Sequence, residues 1–139
     1  MAMFRTPQVI LFSDDVTRAA AFYTRLGFVE TFRVPVEGDP IHIDLALDGY
    51  KIGIASTRST RDDHGLDPVA EGQRAAVILW TDDVAAAFCW LLDEGAPALA
   101  PPHGWLGRLL IAWTADPDGN PIQLVQSLQA TAQETAKTR

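Results

Sequence analysis

One cysteine, Cys89, is the whole thiol content of the 139-residue chain. No disulfide can therefore form within it, and a reducing, cytoplasmic setting is the expectation. Basic residues are scarce: 11 Lys and Arg stand against 18 Asp and Glu, a formal net charge of −7. Nucleic acid is thereby disfavoured as a partner, because phosphates need a basic surface. The same balance leans towards a cationic ligand. No apolar run approaches the ~20 residues of a membrane span, and the opening MAMFRTPQ does not read as a secretory signal. No GxSxG, P-loop or Rossmann glycine pattern is present, and the histidines, His42, His64 and His103, show no HxH or HExxH spacing. What remains is an ordinary soluble composition, 47% hydrophobic and 21% charged.

What the chain does have is a repeat. VILFSDDV, from Val9 to Val16, returns as VILWTDDV, from Val77 to Val84, changed only at Phe12/Trp80 and Ser13/Thr81. At the same offset (82 − 14 = 68) Gly27 matches Gly95. Between each pair lies a helix-like segment. In the first, Ala19, Phe22, Tyr23 and Leu26 fall at i, i+3, i+4, i+7 and make one apolar face; in the second, Val84, Phe88, Leu91 and Leu92, at i, i+4, i+7, i+8, make another. Ser/Thr-Asp-Asp before each segment is a capping signal, and Gly after it is a stop. The Asp-Asp pairs are thus read as helix starts rather than paired catalytic carboxylates.

A second repeat has an offset of 70 (118 − 48): DGYKIGI from Asp48 matches DGNPIQL from Asp118. Asp-Gly between alternating strands predicts a tight hairpin in each half. VETFRVPV and PALAP supply one more strand each. The chain is thus expected to hold one domain over 1–127, built of a βαβββ module over 1–57, a polar linker over 58–73 and a second module over 74–127. Residues 128–139 are expected to form a polar tail. Modules shorter than ~70 residues rarely stand alone, so the halves should share a core within a chain or between two chains, and a homodimer is the default.

These residues carry a family resemblance. Two βαβββ modules, the FYTRLGF helix end and the closing DPDGNPIQLV hairpin resemble the vicinal oxygen chelate superfamily, which includes glyoxalase I, bleomycin-binding proteins and extradiol dioxygenases. The resemblance spans about 5 to 127. It implies an α+β fold in which paired modules curl an antiparallel sheet into a cup, with helices on the convex face and a small molecule in the concave one.

It also implies four metal-ligand positions, which enzymes of the group fill with His, Glu or Gln. Carried over, the first-strand position is Gln8, fourteen residues before Phe22, and its repeat mate is Ala76 (8 + 68). The fourth-strand position is Gly53, and its mate is Gln123 (53 + 70). Two amides and two side chains without a donor make a poor set for a dication, which wants carboxylate or imidazole. The expectation is no metal and no cofactor.

Strand alternation then lists a lining. Gln8, Ile10 and Phe12 share one face of the first strand; Ala76, Ile78 and Trp80 share one face of the fifth. Lys51, Gly53 and Ala55 follow on strand four, Gln123 and Val125 on strand eight. Val9, Leu11, Val77 and Leu79 would face the helices. His42 alternates with Asp44, so both are candidates for the cup, although an edge histidine is the plainer reading. Trp113 on strand seven and Trp105 in the loop before it would suit stacking on a planar ligand, although core packing is the ordinary role of any one Trp. Small residues at Gly53 and Ala76 predict a roomier apolar cavity with two amides. Cys89, mid-helix, reads as a small packed residue, and Arg108 reads as surface.

The functional expectation is a metal-free protein that captures a hydrophobic or aromatic small molecule, an antibiotic among the candidates. The alternatives are an enzyme using non-standard metal ligands or acid–base groups such as His42, Asp44 or His103, and a scaffold that keeps the fold without the chemistry.

Overall fold

The computed structural model describes residues 3, 5–69 and 75–128. The chain divides into two compact units, Met1–Gly72 and Gln73–Arg139. The first holds β1 (Val9–Ser13), α1 (Val16–Arg25), β2 (Val29–Val34), β3 (His42–Leu47), β4 (Tyr50–Ser56) and α2 (Thr57–His64). The second holds β5 (Val77–Trp80), α3 (Val84–Asp93), β6 (Ala100–Trp105), β7 (Leu109–Ala115) and β8 (Pro121–Ser127). Each carries one four-stranded sheet, ordered β1-β4-β3-β2 and β5-β8-β7-β6.

The expected βαβββ modules are both present, but the sheets are mixed rather than wholly antiparallel. β1 runs parallel to β4, and β5 runs parallel to β8. The connectivity requires it: a helical crossover starts β2 in the direction of β1, and two hairpin reversals return β4 to that direction.

One face of each sheet packs on its helix. In the first unit Ile43, Leu45 and Ile54 are at most 1% exposed, and α1 turns Val16, Ala19 and Tyr23 to the same core. Each such aliphatic side chain stabilises the fold by about 1.5–3 kcal/mol on burial. Tyr23 is fully buried, edge-on to Phe22 and to Phe28 with centroids 5.2 and 5.4 Å away. In the second unit Ala112, Thr114, Ile122 and Leu124 meet Val84, Phe88 and Leu91 of α3. The Thr114 hydroxyl is satisfied there by donating to the Pro97 carbonyl at 2.7 Å. Of the strand residues expected to face the helices, Leu11 is buried and Val77 and Leu79 are half-buried, but Val9, at the start of an edge strand, is 57% exposed.

The repeated Ser/Thr-Asp-Asp starts both helices. Asp15 and Asp83 are the N-caps, their carboxylates accepting from the amides of Arg18 and Ala86 at 3.0 Å. Ser13 and Thr81 in turn accept from the amides of Asp15 and Asp83. Asp14 does something different: it accepts a short hydrogen bond from the Thr57 hydroxyl and ties the β1–α1 turn to the start of α2. Past the helix ends, Gly27 and Gly95 take φ of 109° and 101°, which a side chain would oppose.

Two segments depart from expectation. Residues 58–64, placed in the linker, form α2 together with Thr57; the helix is capped by Ser56 and closed by Gly65. The second hairpin is not a two-residue turn. In the first, Asp48 and Gly49 both take positive φ, as a tight turn demands. In the second, the Asp116 carboxylate accepts from the amides of Asp118 and Asn120 and from Asn120 Nδ2 at 2.8–2.9 Å, building a longer loop around itself. Residues 70–74 of the expected linker and 129–139 of the expected tail lie outside the described residues. Among the described residues no helix is long and apolar enough to cross a membrane.

Candidate functional site

The face of the first sheet turned away from α1 carries the polar residues. Strand register lines them up in two rows. Ile10, Gly53, Asp44 and Phe32 form one; Phe12, Ala55, His42 and Val34 form the other. Asp44 is the centre. Its Oδ1 accepts from Gln8 Nε2 at 2.7 Å and is 2.7 Å from His42 Nε2. A carboxylate only accepts, so His42 Nε2 carries the donated proton and the Gln8 amide must turn its nitrogen to Asp44. The charge-assisted pair is half-sheltered, with the His42 and Asp44 side chains 27% and 15% exposed. Phe32 flanks it, its ring tilted 66° to the His42 ring at 6.1 Å between centroids.

Gly53 is what lets this cluster form. Gln8 precedes the edge strand β1, Asp44 is on β3, and β4 lies between, so the side chains bridge about 9–10 Å of sheet. A Cβ on Gly53 would stand 2.5 Å from Ile10 Cδ1, 2.9 Å from Gln8 Nε2 and 3.1 Å from Asp44 Oδ1. The space above Gly53 is thus filled by its neighbours rather than left as the roomier cavity the sequence predicts.

The second sheet repeats the geometry with other chemistry. Its face away from α3 carries the rows Ile78, Gln123, Trp113, Ala100 and Trp80, Val125, Ile111, His103. Trp105 pairs with Leu109 and joins that face from the end of β6, not from a loop. Ala76 is exposed just before β5, Ile78 is 57% exposed, and Gln123 and Trp113 are half-buried. Alternation therefore places the candidate residues of each unit on the sheet face opposite its helix. Of these, Gln8 and His42 both meet Asp44, with Gly53 beneath Gln8 and Asp44.

Sequence reasoning missed Phe32 and Val34, 50% and 38% exposed on the polar face. The bulge between Glu30 and Phe32 breaks the alternation that would have pointed to them. Other candidates fall away from the site. Cys89 is exposed on α3 rather than packed. His64 ends α2, and the His103 ring bonds the Pro101 carbonyl at 2.7 Å. Arg108 is exposed in the turn before β7. On β2 the Glu30 carboxylate accepts from Arg33 Nε and a terminal guanidinium nitrogen, both at 2.9 Å. That bond holds Glu30 below the usual carboxylate range and raises Arg33.

The sequence matches the family model for the Glyoxalase/Bleomycin resistance protein/Dioxygenase superfamily over residues 5–124, and the chain belongs to that superfamily. No curated protein sequence matches it. Among solved structures it is similar to a glyoxalase/bleomycin resistance protein/dioxygenase from Nocardioides, with a TM-score of 0.74 and 18% identity over 94% of this chain and 88% of that one. TioX from Micromonospora sp. ML1 gives 0.70 and 24% over 87% and 97%. Lactoylglutathione lyase from Agrobacterium tumefaciens gives 0.67 and 17% over 88% and 92%. At these identities the likeness establishes the fold alone.

The donor set does not fit the divalent metal of the superfamily's enzymes. Gly53 and Ala76 offer no ligand atom. Gln8 points an amide nitrogen, not its oxygen, at the one carboxylate beside it. That carboxylate, Asp44, already spends Oδ1 on two donors. Among the described residues no three His, Cys, Asp or Glu side chains are grouped to hold an ion.

Proposed function

We propose that the protein is a metal-free binder of a hydrophobic or aromatic small molecule, an antibiotic being one class to test. The observation that carries this reading is the Gln8–Asp44–His42 cluster over Gly53. Where a metalloenzyme of this fold would hold ligand atoms, this chain closes an amide onto a carboxylate and fills the remaining space with Ile10. Around that polar centre stand Phe12, Phe32 and Val34, an apolar surround with a few fixed polar groups, which is the composition of small-molecule sites. The second unit by itself carries Trp80, Trp105 and Trp113 on its face away from α3, ring surfaces suited to stacking on a planar ligand.

The test is a thermal-shift and tryptophan-quenching screen of aromatic natural products, run on protein with its metal content measured. Saturable stabilisation of metal-free protein supports the reading. A stoichiometric metal whose removal destabilises the protein overturns it.

Acid–base catalysis is the second reading, and the 2.7 Å His42–Asp44 contact favours it. An imidazole oriented by a carboxylate keeps its other nitrogen for proton transfer. Conversion of a bound compound, abolished in His42→Ala with binding retained, would establish it.

A further inference from the structure

We infer that the first-unit site selects a ligand that donates hydrogen bonds, an aromatic or apolar body carrying an ammonium or amidinium group. This rests on the binding reading above and adds the ligand's charge class.

Each hydrogen bond in the cluster has a fixed direction. Asp44 Oδ1 draws in both available donors, Gln8 Nε2 and His42 Nε2. Turning the Gln8 nitrogen inward leaves its Oε1, an acceptor, directed elsewhere. In the tautomer with its hydrogen on Nε2, His42 offers Nδ1 as an acceptor as well. Asp44 Oδ2 is a third: among the described residues the hydrogen bonds to Asp44's carboxylate all go to Oδ1, and the side chain keeps 15% exposure. The internal bonds take up one Gln8 N–H and the His42 Nε2–H, and what the cluster mainly offers a visitor is acceptors, one of them on a carboxylate. A ligand carboxylate or phosphate would be repelled by the Asp44 carboxylate there. An ammonium or amidinium would be matched in charge and in hydrogen-bond sense.

The surround agrees. Phe32, half-exposed beside His42, and Phe12 in the same row as His42 provide ring faces near the acceptors. A cation beside such rings gains further attraction. The charge opposing this on the same face is Lys51, exposed, two residues before Gly53 on β4 and paired with Ala46. Its amine competes with a cationic ligand, so its removal should tighten binding. Arg33 is paired across β2–β3 with Ile43, a helix-side residue, and is held by Glu30.

The test titrates ¹⁵N-labelled full-length protein with benzamidinium, benzyl alcohol and benzoate, which share a ring and differ in the attached group. Benzamidinium is expected to shift the amides of His42, Asp44 and Gly53, to bind at least ten-fold more tightly than benzoate, and to gain affinity in Lys51→Met. Asp44→Asn should lose that preference at least ten-fold. Unchanged circular dichroism and melting would show Asp44→Asn to be folded; if it is not, the His42 tautomer, read from long-range ¹H–¹⁵N spectra, serves instead. Nε2–H with a bare Nδ1 supports the proposal, and Nδ1–H overturns it. Benzoate binding the same amides as tightly as benzamidinium would overturn the charge class and leave the binding reading standing. Silence from all three probes at these amides would count against both.

Discussion

Gly53 shows how much one missing side chain decides. The atoms a Cβ there would strike are the far ends of Ile10 and Gln8, both able to swing aside. Gly53→Ala should therefore change stability by less than about 1 kcal/mol, since the loss of chain entropy on the unfolded side offsets part of the crowding. It should displace Gln8 from Asp44 and weaken ligand binding about ten-fold, the equivalent of one charge-assisted hydrogen bond. Denaturant melts and a titration on the same sample check both halves. Glu30 gives a pH signature. Its folded pKa is depressed, first by the hydrogen bond from Arg33, so its contribution is present above the unfolded value and is lost as pH falls through the folded one. In acid melts Glu30→Gln should flatten a small part of the stability loss, small because the pair is exposed and screened. At this scale the sequence was legible where alternation held, as at Gln8, Gly53, His42 and Asp44. It did not reveal that these residues bond to one another, because a contact across three strands depends on register, which one strand's pattern does not contain.

The helices were legible because they announce themselves twice. Ser/Thr-Asp-Asp and a trailing Gly frame an apolar 3.6-residue period in both units, and the structure places α1 and α3 there. α2 was not legible in TRSTRDDH, which has no apolar period; it buries only Thr57 and Thr60, one turn apart, and rests on Ser56, Gly65 and the Asp14–Thr57 bond. The capping assignment makes a sharp distinction within each Asp-Asp. Asp15→Ala and Asp83→Ala should each cost about 0.5–2 kcal/mol in chemical denaturation. Asp82→Ala, which removes no cap, should stay within about 0.5 kcal/mol of the parent. Equal effects at Asp82 and Asp83 would contradict the assignment.

For the molecule as a whole, superfamily membership and the two βαβββ units were readable from a repeat with offsets of 68 and 70, while the parallel pairing of β1 with β4 emerges from connectivity. Symmetric assembly is proposed rather than read from any interface: light scattering on purified protein should give twice the chain mass, and a single-chain mass would contradict it. The central claim is that the Gln8–Asp44–His42 face binds a small molecule without a metal. Its most direct test is an amide-resolved NMR titration of chelator-treated protein with the best compound from the screen. Saturable shifts centred on Gln8, His42, Asp44 and Gly53 are expected, unchanged when divalent metal is added back. Shifts that arise only after metal is restored, or that bypass these residues, would contradict it.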